Sequence, residues 1–357
     1  MDSAGIYLLQ FLIHKNQIFK GVYMKKYLFL VTALLLVFAI SVPLFAAGKK
    51  AKEEKGKEEL TFAFIPGIAD PFYYTMERGM KEKAKELGVN LIVAEFPKSW
   101  GPEAQVPILE ATVARGGIDL IMIAPTSVDA LISPLKKFYD QGIEIITVDT
   151  FLGDGDYSKP SEYSFPLAYI GTDNELGGKR VAEHLAKMLG EKGKVYINTT
   201  NPDVSSVMGR VKGFKEGIAE FPNMEVVGVD YNLDVQQKAQ EQTLAALQAH
   251  PDIVGVFGTN LYSAQGAYQA VVQAGLTGAV KIASWDATED LINALKEGKV
   301  DLVLAQKPAE IGSLAVEWGY KYFVEGAEVP KKVIPGFEFF TRENVNDPDM
   351  EQYIYRR

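Results

Sequence analysis

Residues 60–94 read LTFAFIPGIADPFYYTMERGMKEKAKELGVNLIVA and contain one full repeat of the pattern that decides the fold. The apolar run at 60–65 predicts a buried strand. The amphipathic stretch at 71–87 predicts a helix, because a proline opens it and Gly88 follows it. A second apolar run at 90–94 completes a strand–helix–strand unit.

The same alternation continues along the rest of the chain. Short apolar runs are separated by longer helical stretches, which is typical of parallel strands joined by crossover helices. A polar loop at 151–166 interrupts the pattern once. We therefore expect an α/β fold of two doubly wound parallel-sheet domains joined by a hinge. The later predicted strands are 119–124, 143–148, 167–170, 194–199, 225–229, 253–257, 281–285 and 301–305.

Length and composition narrow the possible functions. A chain of 357 residues suits two domains. The net charge is −9, and it reaches −12 without the first 47 residues, which carry four lysines and one aspartate. Such an acidic body repels phosphate backbones, so we expect no nucleic-acid partner. Cysteine is absent, which excludes disulfides and thiol chemistry, and only three histidines occur, which disfavours a histidine-rich metal site. We expect neither a metal nor a cofactor.

The N-terminal segment has the features of an export signal. Met24 and two lysines precede an apolar run that ends in Ala46 and Ala47, which predicts a secretory signal peptide within a leader at 1–47. An uncleaved membrane anchor is the alternative. We expect the functional start at Met24. The mixed-charge run at 48–59 predicts a solvated linker.

Polar and aromatic side chains recur where predicted strands end. In open α/β sheets ligands bind beyond the carboxyl ends of the strands, so these residues are candidates for binding. Carboxylates accept hydrogen bonds from adjacent hydroxyl groups, arginine donates a fixed fork, and aromatic rings cover the C–H faces of a sugar. The pattern predicts a sugar or polyol site. The candidates are Asp70, Phe72, Tyr73, Asp149, Arg210, Asn260, Asp286 and Gln306.

Each candidate also has a purely structural interpretation. Asp70 precedes a proline at a helix start and could serve only as a helix cap. Asn260 and Asp286 could cap the helices that follow them. Arg210 could be an exposed helix charge, and Phe72 could belong to the core. The functional interpretation depends on the recurrence of polar residues at one topological position.

Several motifs at these positions carry a resemblance to a known family. The chain resembles class I periplasmic binding proteins, and among them the ribose-binding and related sugar-binding branch, over about residues 60–340. The motifs are ADPFY at 69–73, ITVDT at 146–150, GTDNELGGKR at 171–180, GRVKGF at 209–214, and AHPDIVGVFGTN, ASWDAT and LAQKPAEIG between 249 and 312.

The resemblance implies that the eight candidates bind ligand. The positions where this sequence departs from the family pattern indicate which ligand is bound. Asp70 stands where the ribose branch has asparagine, Tyr73 where it has phenylalanine, and Thr150 where it has arginine. The hydroxyl pattern recognised therefore differs from that of ribose, and another pentose, a hexose or a cyclitol such as inositol fits as well. Trp100, Thr150 and Trp285 are possible additional contacts.

The resemblance also implies the organisation and the partners. It places one lobe at 60–172 plus 307–338 and the other at 173–306 plus 339–357, with crossings near 172, 306 and 338. It implies a monomeric periplasmic protein, not an enzyme, that closes on its ligand by a hinge motion and delivers it to the permease of an ABC transporter.

Two other functions remain open at this stage. A sugar-sensing relative, working with a chemoreceptor or as a regulator, would share the same site, although a DNA-binding regulator would need a basic helix-turn-helix before residue 60. A sugar-processing enzyme would use Asp70, Asp149 and Asp286 as acid and base.

Overall fold

The structure is a computed structural model, describes residues 60–356 and contains two six-stranded sheets. The strands are β1 (Thr61–Ile65), β2 (Asn90–Val93), β3 (Leu120–Ile123), β4 (Glu144–Val148), β5 (Ala168–Ile170), β6 (Lys192–Thr199), β7 (Asn223–Tyr231), β8 (Ile253–Gly258), β9 (Lys281–Trp285), β10 (Leu302–Gln306), β11 (Lys332–Val333) and β12 (Phe337–Phe340). The helices are α1 (Pro71–Leu87), α2 (Pro102–Val113), α3 (Ile132–Asp140), α4 (Asn174–Met188), α5 (Ser205–Ala219), α6 (Gln236–Ala249), α7 (Leu261–Gln273), α8 (Glu289–Lys296) and α9 (Pro308–Tyr320).

Each sheet forms the centre of one lobe. In the first lobe the strand order is β11-β5-β4-β3-β1-β2, with every pair parallel. In the second it is β12-β10-β9-β8-β6-β7, where only β12 is antiparallel to its neighbour. All four residues of β3 are fully buried, as expected for a parallel strand that is covered on both faces. The expected doubly wound α/β fold is confirmed.

Local sequence explains where the first helix begins and ends. The Asp70 side chain accepts a hydrogen bond from the Tyr73 backbone N–H at 3.0 Å, and proline occupies the first helical position. Gly88 ends the helix with a φ of 70°, a left-handed conformation that glycine adopts without strain. The cap fixes Asp70 at the carboxyl end of β1, which is the edge of the sheet where a ligand would bind.

The chain passes between the lobes three times. The first two passages lie between β5 and α4 and between β10 and α9, and the third lies between Val333 of β11 and Phe337 of β12. The third passage was expected near residue 338. It occurs earlier because Phe337 already pairs with Gln306 in the second sheet. Residues 337 and 338 therefore belong to the second lobe.

Two short elements complete the described chain. A π-helical turn covers Lys321–Glu325, and a 3-10 helix covers Pro348–Tyr353. Within residues 60–356 no helix combines the length and apolar character that a membrane span requires. The predicted leader at 1–47 and linker at 48–59 lie outside the described residues.

Candidate ligand-binding site

A cavity lies between the lobes and encloses about 440 Å³ of empty space, part of it open to solvent. All eight principal candidates from the sequence line it, and so does Trp100. The other lining residues are Ile68, Thr200, Val204, Ser206, Val207 and Asp234.

Two aspartates occupy equivalent places in the two lobes. Asp149 follows β4 and Asp286 follows β9, and each donates its backbone N–H at 2.9 Å to the neighbouring strand, to Ile170 O and Leu304 O respectively. Both adopt left-handed backbone conformations, with φ of 61° and 75°. Such conformations are uncommon outside glycine and concentrate at functional sites. The turn directs both carboxylates into the cavity.

Asp149 is only half satisfied by the protein. Its Oδ2 accepts a hydrogen bond from the Tyr73 hydroxyl at 2.7 Å, whereas its Oδ1 is buried with no hydrogen-bond partner among residues 60–356. Burial raises the pKa of Asp149 to about 6, although the Arg210 charge and the Tyr73 hydrogen bond oppose the shift. A buried acceptor of this kind is costly unless a ligand or water supplies a donor.

Asp286, by contrast, is held on both oxygens. Its Oδ1 accepts from Gln306 Nε2 at 2.9 Å, and its Oδ2 accepts from the Leu261 backbone N–H at 3.3 Å. Burial raises its pKa, against the opposing effects of the Arg210 charge and these bonds. Gln306 Oε1 accepts from the Thr172 hydroxyl at 2.7 Å, so the amide joins this carboxylate to the first passage of the chain between the lobes.

Arg210 is fixed before any ligand arrives. Its Nε donates to Asn174 Oδ1 and its Nη1 to Thr259 O, both at 2.9 Å, and its guanidinium lies 4.3 Å from the centre of the Trp285 ring. Gly178 allows α5 to approach α4 so closely, because a Cβ there would collide with the Arg210 carbonyl. In the GTDNELGGKR motif, Gly178 thus serves helix packing beside the site, and Gly177 leaves room for the Trp285 ring.

Aromatic rings form the wall contributed by the first lobe. The rings of Phe72 and Tyr73 meet edge to face at 5.1 Å, and the Tyr73 ring lies 6.5 Å from that of Trp100. Trp100 Nε1 donates to Thr126 O at 3.0 Å, which fixes its orientation. Rigid aromatic surface of this kind suits the C–H faces of a sugar ring.

Sequence reasoning missed Asp234. It follows β7 by three residues in a turn where both Leu233 and Asp234 have positive φ, and this turn directs its carboxylate into the cavity. Its Oδ1 accepts from Asn260 Nδ2 at 2.6 Å, and burial raises its pKa to about 6. Applying the strand-end criterion to β7 would have brought this segment under consideration.

Two possible contacts are corrected. Thr150 is fully buried and donates its hydroxyl to Pro125 O at 2.8 Å, pointing away from the cavity. Trp285 is also fully buried, beneath Arg210, and neither residue lines the cavity. Trp285 supports the guanidinium from behind and does not reach the space a ligand would occupy.

Fold and site together define a two-lobed binding protein with its ligand cavity at the hinge. The family model described as a periplasmic binding protein domain matches residues 62–328. The chain belongs to this family, and within it to the class I periplasmic sugar-binding proteins.

Relatives with named ligands match over most of the chain. The ribose import binding protein of Escherichia coli K12 is 29% identical, and the match covers 87% of this chain and 96% of that protein. The D-allose-binding periplasmic protein of the same strain is 27% identical over 87% and 94%. A solute-binding protein of an ABC transporter from Agrobacterium vitis, solved with α-D-tagatopyranose bound, is 40% identical, with a TM-score of 0.81, covering 84% and 100%.

Proposed function

We propose that this protein captures a monosaccharide or a related polyol or cyclitol between its lobes, without chemical change, and delivers it to the permease of an ABC transporter. The three relatives described above carry the names of ribose, allose and tagatose, so the proposal extends their class of ligand to this chain. We infer that the protein acts as a monomer in the periplasm after export by its predicted leader.

The observation that carries the proposal is the Oδ1 of Asp149, which is buried and has no hydrogen-bond partner in the described part of the chain. It lies in a cavity whose other polar groups are already oriented by protein hydrogen bonds. A sugar hydroxyl supplies the missing donor, while Arg210 and the amides can donate to hydroxyl oxygens. These pre-oriented groups reduce the entropy lost on binding.

The charges of the cavity disfavour anionic ligands. Four carboxylates line it, those of Asp70, Asp149, Asp234 and Asp286, against the single guanidinium of Arg210. A uronic acid or a sugar phosphate would add negative charge to a site that already has an excess. An uncharged ligand rich in hydroxyl donors fits these acceptors best.

Contact between the lobes supports a closing motion. The Phe151 backbone N–H of the first lobe donates to the Ser205 hydroxyl of the second at 3.0 Å, beside the cavity. A ligand that touches both lobes binds the closed form more tightly than the open one, and this difference drives closure.

A thermal-shift screen of pentoses, hexoses, cyclitols and alditols, followed by calorimetry, tests the proposal. We expect at least one neutral compound to raise the melting temperature, since a ligand that binds only the native state stabilises it. We also expect the compound to be recovered unchanged. Stabilisation by none of these classes, or conversion of a bound sugar to product, would contradict the proposal.

A matched pair of helix caps provides the control. Asp70 caps α1 and Asp173 caps α4 with the same 3.0 Å geometry, but only Asp70 lines the cavity. Asparagine is an equally good cap, so both variants retain their helices. We expect Asp70→Asn to weaken sugar binding about tenfold, the effect of one hydrogen bond to the ligand, and Asp173→Asn to leave it unchanged.

A further inference from the structure

The last residues of the described chain form a strap that contacts both lobes. We call residues 348–356 the C-terminal strap; it consists of the 3-10 helix Pro348–Tyr353 and the three residues that follow. It lies beyond residues 62–328, the part matched by the family model.

One side of the strap is attached to the second lobe next to the ligand site. The Tyr355 backbone N–H donates to Ala287 O at 2.8 Å, and Tyr355 pairs with Thr288 in an isolated bridge. Arg356 Nε lies 3.1 Å from Glu289 Oε1. Because Ala287 directly follows Asp286, this attachment begins one residue away from a cavity carboxylate.

The other side of the strap is attached to the first lobe through α1. The Arg356 backbone N–H donates to Thr75 Oγ1, and the Thr75 hydroxyl donates to Arg356 O, both at 3.1 Å. The Tyr355 ring meets the edge of the cavity residue Phe72 with centroids 5.7 Å apart. The strap thus joins the lobes at a place away from the three passages that the chain makes within residues 60–356.

The Tyr355 hydroxyl connects this strap to the hinge. It is almost fully buried and accepts a hydrogen bond from the Gln306 backbone N–H at 2.6 Å. Gln306 in turn holds Asp286 and receives the hydroxyl of Thr172. Since a buried N–H must have an acceptor, loss of this hydroxyl would disturb Gln306 at the point where the lobes pivot.

We propose that Tyr355 is a positioning residue for ligand capture, and that the C-terminal strap favours the closed arrangement of the lobes. Tyr355 contacts Phe72 on one side of the cleft and Gln306 at the hinge, so it aligns two cavity walls without touching the ligand. Apparent affinity falls in proportion to the population of the binding-competent form. Weakening the strap therefore weakens binding mainly through faster release. The expected effect on sugar affinity rests on the proposed function, whereas the expected effect on lobe closure does not.

Two variants and one control test the strap. Tyr355→Phe keeps the ring against Phe72 and removes only the hydroxyl. Thr75→Val removes both hydrogen bonds between the Thr75 side chain and Arg356 without touching the cavity lining, and leaves the 3.3 Å bond from Arg78 Nη2 to Arg356 O. Tyr353→Phe is the control, because it lies in the same strap and its hydroxyl takes part in none of these bonds. D-tagatose, D-allose and D-ribose serve as probes, measured by calorimetry and stopped-flow dissociation.

Lobe separation is measured independently of any sugar. The chain has no cysteine, so Glu95→Cys in the first lobe and Asp203→Cys in the second, both exposed, allow a pair of spin labels to report the distance between lobes. We expect both strap variants to lengthen or broaden the ligand-free distance distribution. We expect about a tenfold rise in Kd for a probe that binds, mostly in the dissociation rate, with Tyr353→Phe unchanged.

The outcomes separate the two proposals. If no probe binds even the unaltered protein, the result counts against the proposed ligand class. The distance measurement still decides the role of the strap. An unchanged distance distribution in both strap variants would overturn the inference, whatever happens to affinity or to melting temperature.

Discussion

Asp149 and Asp286 occupy equivalent positions in the two lobes. They differ in how many of their carboxylate oxygens accept hydrogen bonds from the protein. Each follows a central strand, bonds to the adjacent strand and adopts a left-handed backbone. Asp286 has protein donors on both oxygens, whereas Asp149 has one oxygen without any described partner. The aspartate of the first lobe thus keeps one oxygen available for a ligand, whereas the aspartate of the second lobe is already held in place by protein hydrogen bonds.

This difference indicates that the two aspartates have different roles. A carboxylate that is already bonded within the protein mainly holds its neighbours in place, here Gln306 and the start of α7. A carboxylate with a free, buried oxygen is destabilising until a donor arrives. We therefore expect ligand affinity to depend more on Asp149 and native-state integrity more on Asp286.

The largest expected effect comes from Asp149→Asn. Asparagine tolerates the left-handed backbone but removes the charged acceptor, so affinity for the captured sugar falls about 100-fold. The ligand-free protein becomes more stable at pH 7, by up to about 3 kcal/mol, because the charge whose burial raises the pKa to about 6 is gone. Calorimetry and urea unfolding measure the two effects. Loss of affinity together with loss of stability would show that Asp149 is a structural residue.

The second largest effect is expected from a change of pH, which alters ligand-free stability and sugar affinity in opposite directions. The folded-state pKa values of Asp149 and Asp234 are raised to about 6, so their contribution to ligand-free stability is full below about pH 4 and is lost as the pH rises through 6. Sugar binding needs the ionised acceptor and changes the opposite way. We expect affinity to fall about tenfold between pH 7 and pH 5 for each carboxylate that must be ionised.

Titration calorimetry across this range provides the check, with Asp149→Asn as the comparison variant. The variant must lose the part of the pH dependence that belongs to Asp149. A pH profile identical in both proteins would assign the titration to other groups.

The smallest expected effect in affinity comes from Asp286→Asn. An asparagine cannot accept from both Gln306 Nε2 and the Leu261 N–H, because one of its two polar atoms is a donor. We expect affinity to fall only about threefold. We also expect a smaller gain in ligand-free stability than in Asp149→Asn, because the lost acceptor offsets the relief of a buried charge. The comparison between the aspartates fails if this variant stabilises the ligand-free protein as much as Asp149→Asn does.

Sequence reasoning reached most of the site because the fold makes strand ends converge. Asp149, Asn260 and Asp286 each follow a clear apolar run, and parallel strands bring those ends to one edge of each sheet. The cap at Asp70 was recognisable from the proline after it. No estimate of distance was needed to place these residues on the same cavity.

Two features of the site could not be predicted from the sequence. They are the orientation of side chains at the strand ends and the contacts between residues that are far apart in the chain. Thr150 and Trp285 adjoin the two aspartates, but the chain direction at the strand end turns their side chains away from the cavity. Asp234 reaches the cavity only because two consecutive residues adopt positive φ, which apolar periodicity does not reveal. The strap contact between Thr75 and Arg356 joins residues 281 positions apart.

The central claim is that a neutral hydroxyl completes Asp149 between the lobes. A crystal structure of the complex with the most strongly stabilising sugar tests it most directly. We predict a ligand hydroxyl about 2.5–3.0 Å from Asp149 Oδ1, with Arg210 contacting the same molecule from the opposite lobe. A sugar bound elsewhere, or a ligand that leaves Asp149 Oδ1 without a hydroxyl partner, would contradict the account.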